Sequence, residues 1–321
     1  MKPINILVLS VGRRVELIQA IKRNLRKNKS PGRVIGADIS VFAPALYECD
    51  LTVSLPSIGD EMYLAELEKI IKEYSINAII PTIDTELSVL AENKDKLESK
   101  YNVMVFISNQ STIRIFQDKK KMYEYLLKYD IKTPKVFMDP IDFQSLSFPV
   151  FLKPSNGSSS VNASIIESHD DLVRRIKAIK KPIIQEFISG NEYTVDLYID
   201  KSKRIISESH RQRLKTRSGE ILIGRVTFVD KIHEMVVDIV KHFIFFGPVT
   251  LQFMENSNNF YLIEINPRLG GGVPMSIEAG IDISKNIIDE INKTRMSVKS
   301  SRGIEKVYSR FDQMIEVKNH D

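Results

Sequence analysis

The chain has 321 residues, 43% of them hydrophobic and 27% charged, with a formal net charge of +5 and one cysteine, Cys49. That much apolar side chain supports a packed core spread over roughly two domains, and it excludes a disordered chain, an internal disulfide and a cysteine-based metal cluster. The mild basic excess suits a protein that handles anions such as nucleotides, and is too weak to indicate nucleic acid.

The apolar run Ile4 to Leu9 is far shorter than the ~18 residues a membrane-spanning helix needs. It carries no signal-peptide cleavage pattern and is soon followed by Arg13-Arg14. A soluble, cytoplasmic protein is expected.

Residues 4–10 read as a buried parallel strand, since a continuous apolar run ends at a glycine turn. Val15 to Leu25 has helical spacing. Strands follow at Val34 to Asp38, Leu51 to Leu55, Ala78 to Pro81 and Val103 to Ile107, with helices at Met62 to Tyr74 and Leu87 to Leu97. Such alternation predicts an open parallel α/β sheet over about a hundred residues. A dinucleotide fold would need G-x-G-x-x-G after the first strand. Only Gly12 is present, followed by two arginines, so a nicotinamide dehydrogenase is not expected.

The pattern then changes. A helix at Lys119 to Tyr129 precedes a strand ending in Lys153-Pro154, a loop of small residues at 155–160, and a strand from Val161 to Ile166. Leu172 to Ile179 reads as a helix. Strands at Ile183 to Ile188 and Tyr193 to Ile199 read as a hairpin across Ser189-Gly190, followed by a strand from Arg204 to His210. After a helix at Lys231 to Phe245, Val249 to Glu255 and Phe260 to Ile265 form a second hairpin. Hairpins with a few helices describe an α+β region.

Several segments suggest chemistry. The loop after Lys153 contains Asn156, Gly157, Ser158 and Ser159; its small residues let backbone N–H groups approach an anion, and the lysine adds a point charge. Glu264, Asn266 and Arg268 alternate along one strand and so share a face, while Ile263 and Ile265 point to the core. A carboxylate, an amide and a guanidinium side by side suit an oxygen-ligated cation beside a phosphoryl group. Gln252 on the partner strand adds an oxygen. Gly270-Gly271-Gly272 leaves backbone bare for a close approach. Five histidines (His169, His210, His233, His242, His320) have no catalytic spacing.

Taken in order, Asp118-Lys119, Lys153 with its loop, Gln185-Glu186-Phe187-Ile188 followed by Glu192, Gln252, and Glu264-Ile265-Asn266-Pro267-Arg268 resemble the ATP-grasp superfamily. The sequence looks most like one synthetase half of the carbamoyl phosphate synthetase large subunit and like biotin carboxylase. The resemblance implies a Rossmann-like pre-ATP-grasp α/β domain at 1–112, a small lid subdomain at 113–187, a large subdomain with the metal site at 188–296 and a tail at 297–321. It also implies roles. Lys119, Lys153 and the loop bearing Ser158 and Ser159 would hold ATP phosphates. Glu186, Phe187 and Ile188 would line the adenine pocket and Glu192 the ribose. Gln252, Glu264 and Asn266 would bind Mg2+, two ions as a rule, with Mn2+ a substitute. Arg268, with Lys153, would stabilise the transferring phosphoryl group.

The expected activity is an ATP-dependent carboxylate–amine ligase working through an acyl phosphate. The alternatives are a MgATP-binding regulator without turnover and a carbamoyl-phosphate-synthetase-like enzyme acting on bicarbonate. A full large subunit has two synthetase halves and this sequence has one, which favours a stand-alone ligase. Candidates for the substrate pocket are Arg13, Arg14, Asp84, Glu86 and Gly271, with Arg211 and Arg213 added by the resemblance. Asp84 and Glu86 have an equal alternative as caps of the following helix. The expected partners are a small carboxylate and a nucleophile, with neither nucleic acid nor membrane. Dimers are common in the family, and the oligomeric state stays open.

Overall fold

The computed structural model describes residues 3–29, 31–137, 143–156 and 162–317. The first strands, β1 (Ile6–Leu9), β2 (Val34–Asp38), β3 (Leu51–Ser54), β4 (Ala78–Pro81) and β5 (Met104–Val105), form a parallel sheet in the order β3-β2-β1-β4-β5. The order reverses between β1 and β4, which opens a crevice beyond their carboxyl ends. Helices α1 (Val15–Lys27), α2 (Tyr63–Glu73) and α3 (Thr85–Tyr101) cover its faces. Leu17, Ile18, Ile21 and Leu25 form the buried stripe of α1.

Next come α4 (Gln110–Phe116), capped by the Asn109 side chain, and α5 (Lys119–Lys128), capped by Asp118. A four-stranded sheet in the order β6-β9-β7-β8 contains β6 (Val136–Phe137), β7 (Val150–Pro154), β8 (Ser164–Ile166) and β9 (Pro182–Glu186), with α6 (His169–Ile176) beside it. The large sheet runs β14-β13-β10-β11-β12-β16, with β15 paired to β11. Its strands are β10 (Asn191–Ile199), β11 (Ile205–Arg217), β12 (Glu220–Thr227), β13 (Gly247–Asn256), β14 (Asn259–Asn266), β15 (Lys299–Ser300) and β16 (Lys306–Ser309). The remaining helices are α7 (Asp230–His242), α8 (Val273–Glu278) and α9 (Ile283–Ile291).

Alternation along β10, β13 and β14 divides the large sheet into two faces. Val195, Leu197, Leu251, Phe253 and Ile265 pack with Ile232, Val236 and Ile239 of α7. The other face is polar and carries the site. Val273 and Ile277 of α8 and Ile283, Ile287 and Ile288 of α9 share a core with Ile18, Ile21 and Leu25 of α1. The parallel sheet and the large sheet are therefore joined by one continuous apolar core.

Three sequence expectations change here. The strands on either side of Ser189-Gly190 do not pair as a hairpin: β9 lies in the four-stranded sheet and β10 in the large one. The segment 297–321, expected as a tail, contributes β15 and β16 to the large sheet. The hairpin of β11 with β12 was not expected beyond His210, because its polar residues 212–220 hide the strand period.

Candidate active site between the large sheet and the N-terminal sheet

Register across the large sheet assembles the site. Gln252 of β13 stands opposite Glu264 of β14, and Thr250 opposite Asn266. On the other side of β13, Thr194 pairs with Gln252 and Asp196 with Thr250. Thr194 in turn faces Arg211 on β11. Directly opposed residues share a face, so Glu264, Gln252, Thr194 and Arg211 form one polar row, and Asn266, Thr250 and Asp196 the next. The pairing shifts between Gln252 and Phe253. This bulge turns Ile263 into the cleft with Glu264 rather than into the core as expected.

A cavity of about 730 Å3 lies between the four-stranded sheet and this face. Lys119, Lys153, Glu186, Phe187, Ile188, Glu192, Gln252 and Glu264 line it, all expected from the sequence. Asn156, from the loop expected to hold phosphate, lines it too; Phe151, Asn162, Lys180, Lys181, Met254 and Ile263 also line it without having been expected there. Ser158 and Ser159 lie outside the described residues. The Asp118 carboxylate accepts from Ser155 Oγ at 2.8 Å, and Lys119 N–H donates to the Ser155 carbonyl at 3.0 Å. These bonds tie the start of α5 to the turn after β7 and bring Lys119 beside Lys153. Lys119 Nζ is 3.9 Å from Glu264 Oε1. Lys153 is buried, and burial pushes its ammonium down to about 8; Glu264 opposes the shift and Lys119 adds to it. The Glu186 carboxylate accepts the Lys135 N–H at 3.1 Å.

A second cavity of about 290 Å3 continues from the first, and Glu192, Gln252 and Glu264 border both. Arg14, Arg211, Arg213, Asn266, Arg268 and Gly270 to Gly272 line it as well. Arg268 Nε donates to Asp84 Oδ1 at 2.8 Å, and its Nη2 donates to Asp84 Oδ2. Its Nη2 also donates to Asn266 Oδ1 at 3.3 Å. Asp84 therefore does not cap α3; its carboxylate reaches across to Arg268. Arg213 pairs with Glu192 at 2.6 Å. Burial and neighbouring Glu264 raise the Glu192 carboxyl, and Arg213 opposes them. Arg211 is 1% exposed and bonds Asp196 at 2.5 Å and Ser276 at 3.0 Å.

The glycine triplet makes room for side chains of this protein. A Cβ at Gly272 would lie 2.5 Å from Arg211 Nη2, one at Gly271 2.8 Å from Arg14 Nη1, and one at Gly270 2.9 Å from Thr250 Oγ1.

Two expected pocket residues lie elsewhere. Glu86 is 1% exposed and accepts from Ser10 Oγ at 2.7 Å beneath the crevice; burial raises its carboxyl to about 7. Arg13 is exposed, 3.8 Å from Asp312, and lines neither cavity; it borders a surface hollow with Arg217, Glu220 and Arg310. Two histidines with no sequence spacing meet on one carboxylate: His210 Nε2 is 2.7 Å from Glu208 Oε1 and His233 Nδ1 is 2.8 Å from Glu208 Oε2. Val229 N–H donates to His210 Nδ1, which leaves Nε2 as the donor to Glu208. This group braces β11 against α7 and borders neither cavity.

Among the described residues no cluster of three His, Cys, Asp or Glu could hold a metal. Gln252 and Glu264 in one row and Asn266 in the next offer one carboxylate and two amide oxygens, a hard oxygen set that suits Mg2+ completed by water and phosphate oxygens.

Residues 116–272 match the ATP-grasp domain family and residues 6–106 the PylC-like N-terminal domain family. Residues 116–272 are an ATP-grasp domain. A carbamoyl-phosphate synthase of Methanobrevibacter smithii is 23% identical, over 61% of this chain and 58% of its own length. The carbamoyl phosphate synthase large chain of Clostridium botulinum is 26% identical, over 54% of this chain and 18% of its own. The chain thus spans about half or less of the length of these relatives. N5-carboxyaminoimidazole synthetase of Staphylococcus aureus, solved with ADP, superposes with a TM-score of 0.73 at 17% identity, covering 94% of this chain and 80% of that one. The biotin carboxylase domain of Hydrogenobacter thermophilus 2-oxoglutarate carboxylase, solved with MgADP and bicarbonate, gives 0.71 at 19%, covering 91% and 70%. An L-amino acid ligase of Bacillus licheniformis gives 0.68 at 17%, covering 91% and 75%. These likenesses establish the ATP-grasp fold: a parallel α/β sheet followed by the two antiparallel sheets that enclose the cleft. Among the described residues no helix is long and apolar enough to cross a membrane.

Proposed function

We propose that this ATP-grasp protein is an ATP-dependent carboxylate ligase that forms an acyl phosphate and passes the acyl group to an amine. The observation that carries the reading is that two cavities of different chemistry meet at Glu192, Gln252 and Glu264. One is larger and partly apolar, with Lys119, Lys153, Lys180 and Lys181 in its lining; the other is smaller and rich in arginine. A nucleotide in the first and an acid in the second would bring the γ-phosphate and the carboxylate together at the shared wall.

In this reading the base lies against Glu186, Phe187 and Ile188, and Lys119 and Lys153 hold the phosphates. Gln252, Glu264 and Asn266 would hold Mg2+, which when bound supplies charge neutralisation between phosphate oxygens. A carboxylate oxygen attacks the γ-phosphorus, the bond to the bridging oxygen breaks, and ADP leaves. The amine then attacks the acyl carbon, inorganic phosphate leaves, and the amine proton passes to solvent. Both first reactants are anions, so the barrier falls mainly through positioning and fixed positive charge. Arg268, held by Asp84 and Asn266 in the second cavity, would meet charge on the transferring group. The similarity to solved carboxylases and to an amino acid ligase supports the reaction class, and the acid and amine are open.

The test is ADP release with MgATP across a panel of carboxylic acids, with hydroxylamine added to trap acyl phosphate as hydroxamate. ADP and hydroxamate with one acid, both lost in Lys153→Ala/Glu264→Ala, are expected. Tight MgATP binding with no turnover on any acid would favour a regulator. Turnover on bicarbonate alone would favour a carbamoyl-phosphate-type reaction.

A further inference from the structure

Four arginines border the smaller cavity, and three are neutralised by a carboxylate: Arg211 by Asp196, Arg213 by Glu192 and Arg268 by Asp84. Among the described residues Arg14 has no carboxylate within 4.0 Å. Its guanidinium makes a long bond, 3.5 Å, to the Thr82 carbonyl. The charges around it are Arg268, Glu220, Arg310 and Asp84. Asp84 is committed to Arg268, and Glu220 Oε2 takes Arg310 Nη1 at 3.3 Å. Half-buried and next to a second arginine, Arg14 is a cation whose charge the protein does not match, an unfavourable state until an anion arrives.

The position of Arg14 is built rather than incidental. Its Nη1 occupies the space that a Cβ at Gly271 would fill, so bare backbone admits the guanidinium to the cavity. Neither Arg14 nor Gly271 borders the nucleotide cavity, whereas Gln252 and Glu264 border both. Arg14 therefore lies off the wall that the two cavities share, on the side of the smaller cavity.

We propose that the acid substrate carries a second carboxylate, which Arg14 holds off the shared wall while the reacting carboxylate faces Arg268 and the nucleotide. One unmatched positive charge fits one singly charged group; a phosphate dianion there would meet the Glu220 carboxylate across Gly271. The proposal rests on the ligase reading for which carboxylate reacts, and it adds the class of acid.

The test uses the MgADP-loaded full chain and titration calorimetry with succinate and glutarate against propionate and butyrate. The dicarboxylates are expected to bind about ten- to a hundredfold more tightly than the monocarboxylates, the range for a charge-assisted pair shielded from water. Arg14→Gln should erase that advantage and Arg14→Lys should restore part of it. Equal affinity for both classes, or no measurable binding of either, overturns the proposal. A dicarboxylate advantage that survives Arg14→Gln overturns it too. Monocarboxylate affinity that falls in Arg14→Gln would assign Arg14 to the reacting carboxylate instead, and so overturns it as well. A chain that binds no MgADP overturns the ligase reading, and this proposal with it, so the two failures are distinguishable.

Discussion

Lys153 offers the sharpest quantitative test of the nucleotide cleft. Its ammonium is buried at the end of β7, and desolvation lowers it from 10.5 to about 8. A bound triphosphate supplies negative charge beside it and returns its pKa to at least the ordinary value. Binding then requires a proton whenever Lys153 is neutral beforehand. Affinity should be flat below pH 7 and fall about tenfold between pH 7 and pH 9, the slope expected for one group titrating near 8. Calorimetry in buffers of different ionisation enthalpy should register uptake of about half a proton per nucleotide at pH 8. Lys153→Met should bind more weakly at pH 7 and lose both the slope and the uptake. A wild-type affinity constant from pH 7 to pH 9, or a slope unchanged in Lys153→Met, would refute the argument. The same shift has a stability sign. The folded pKa lies below the unfolded one, so the unfolded chain binds the extra proton, and stability should rise as pH climbs from 8 to 10.5. At neutral pH the buried ammonium costs about 3 kcal/mol, and bound phosphate would offset that cost.

Three further expectations follow from packing and charge. Gly272→Ala places a methyl 2.5 Å from Arg211 Nη2, which Asp196 and Ser276 hold in place, so a loss of about 1–3 kcal/mol in denaturant melts is expected; Gly59→Ala, with nothing within 4 Å of its Cβ, is the control, and equal losses in both would contradict the packing account. Asp84→Ala frees Arg268 from its bidentate partner, and kcat should fall at least about tenfold while MgATP affinity changes less than about threefold; a pure affinity loss would place Arg268 in nucleotide binding instead. The proposed metal ligands Gln252, Glu264 and Asn266 include one carboxylate, so Mn2+ should bind the protein alone no more tightly than about millimolar and tighten markedly with a non-hydrolysable ATP analogue, as followed by electron paramagnetic resonance; tight Mn2+ binding without nucleotide would show a different ligand set.

Much of the fold was legible because the residues that decide it are local. Continuous apolar runs separated by amphipathic helices specify a parallel sheet, and β1 to β5 lie close to where the runs predict. The alternation of Gln252 and of Glu264 with Asn266 predicted facing strands, and the register places Gln252 opposite Glu264. What escaped the sequence depends on distant pairing. A Ser-Gly turn has the same local chemistry whether its flanking strands pair or part, and β9 parts from β10 because Lys135 and β7 take its edges. Ile263 looked like a core residue because a bulge one position away cannot be read from alternation. Glu86 and Asp84 both suited a helix start; only the approach of Arg268, 184 residues away, separates a pocket residue from a buried one. Residues 299–309 are polar and short, and they form strands because β11 and β12 present edges to them.

The second cavity is made by contact between two parts of the chain, and in the proposed reading this division bears on specificity. The first cavity is lined wholly from residues 119–264, within the ATP-grasp match. The second takes Arg14 from the turn after β1, and Asp84, from the turn after β4, orients its Arg268. Those turns flank the point where strand order reverses, where an open parallel sheet presents its crevice. The core joining α1 to α8 and α9 fixes this crevice over the glycine triplet, because Leu269, Val273 and Ile277 share one core with the stripe of α1. A change at positions 12–14 or 82–84 should therefore alter which acid is accepted and leave nucleotide choice intact, whereas a change at 186–188 should do the reverse. If exchange of the 12–14 turn altered nucleotide affinity as strongly as acid affinity, the two cavities would be one binding unit, and the reading of Arg14 as a distal anchor would lose its structural basis.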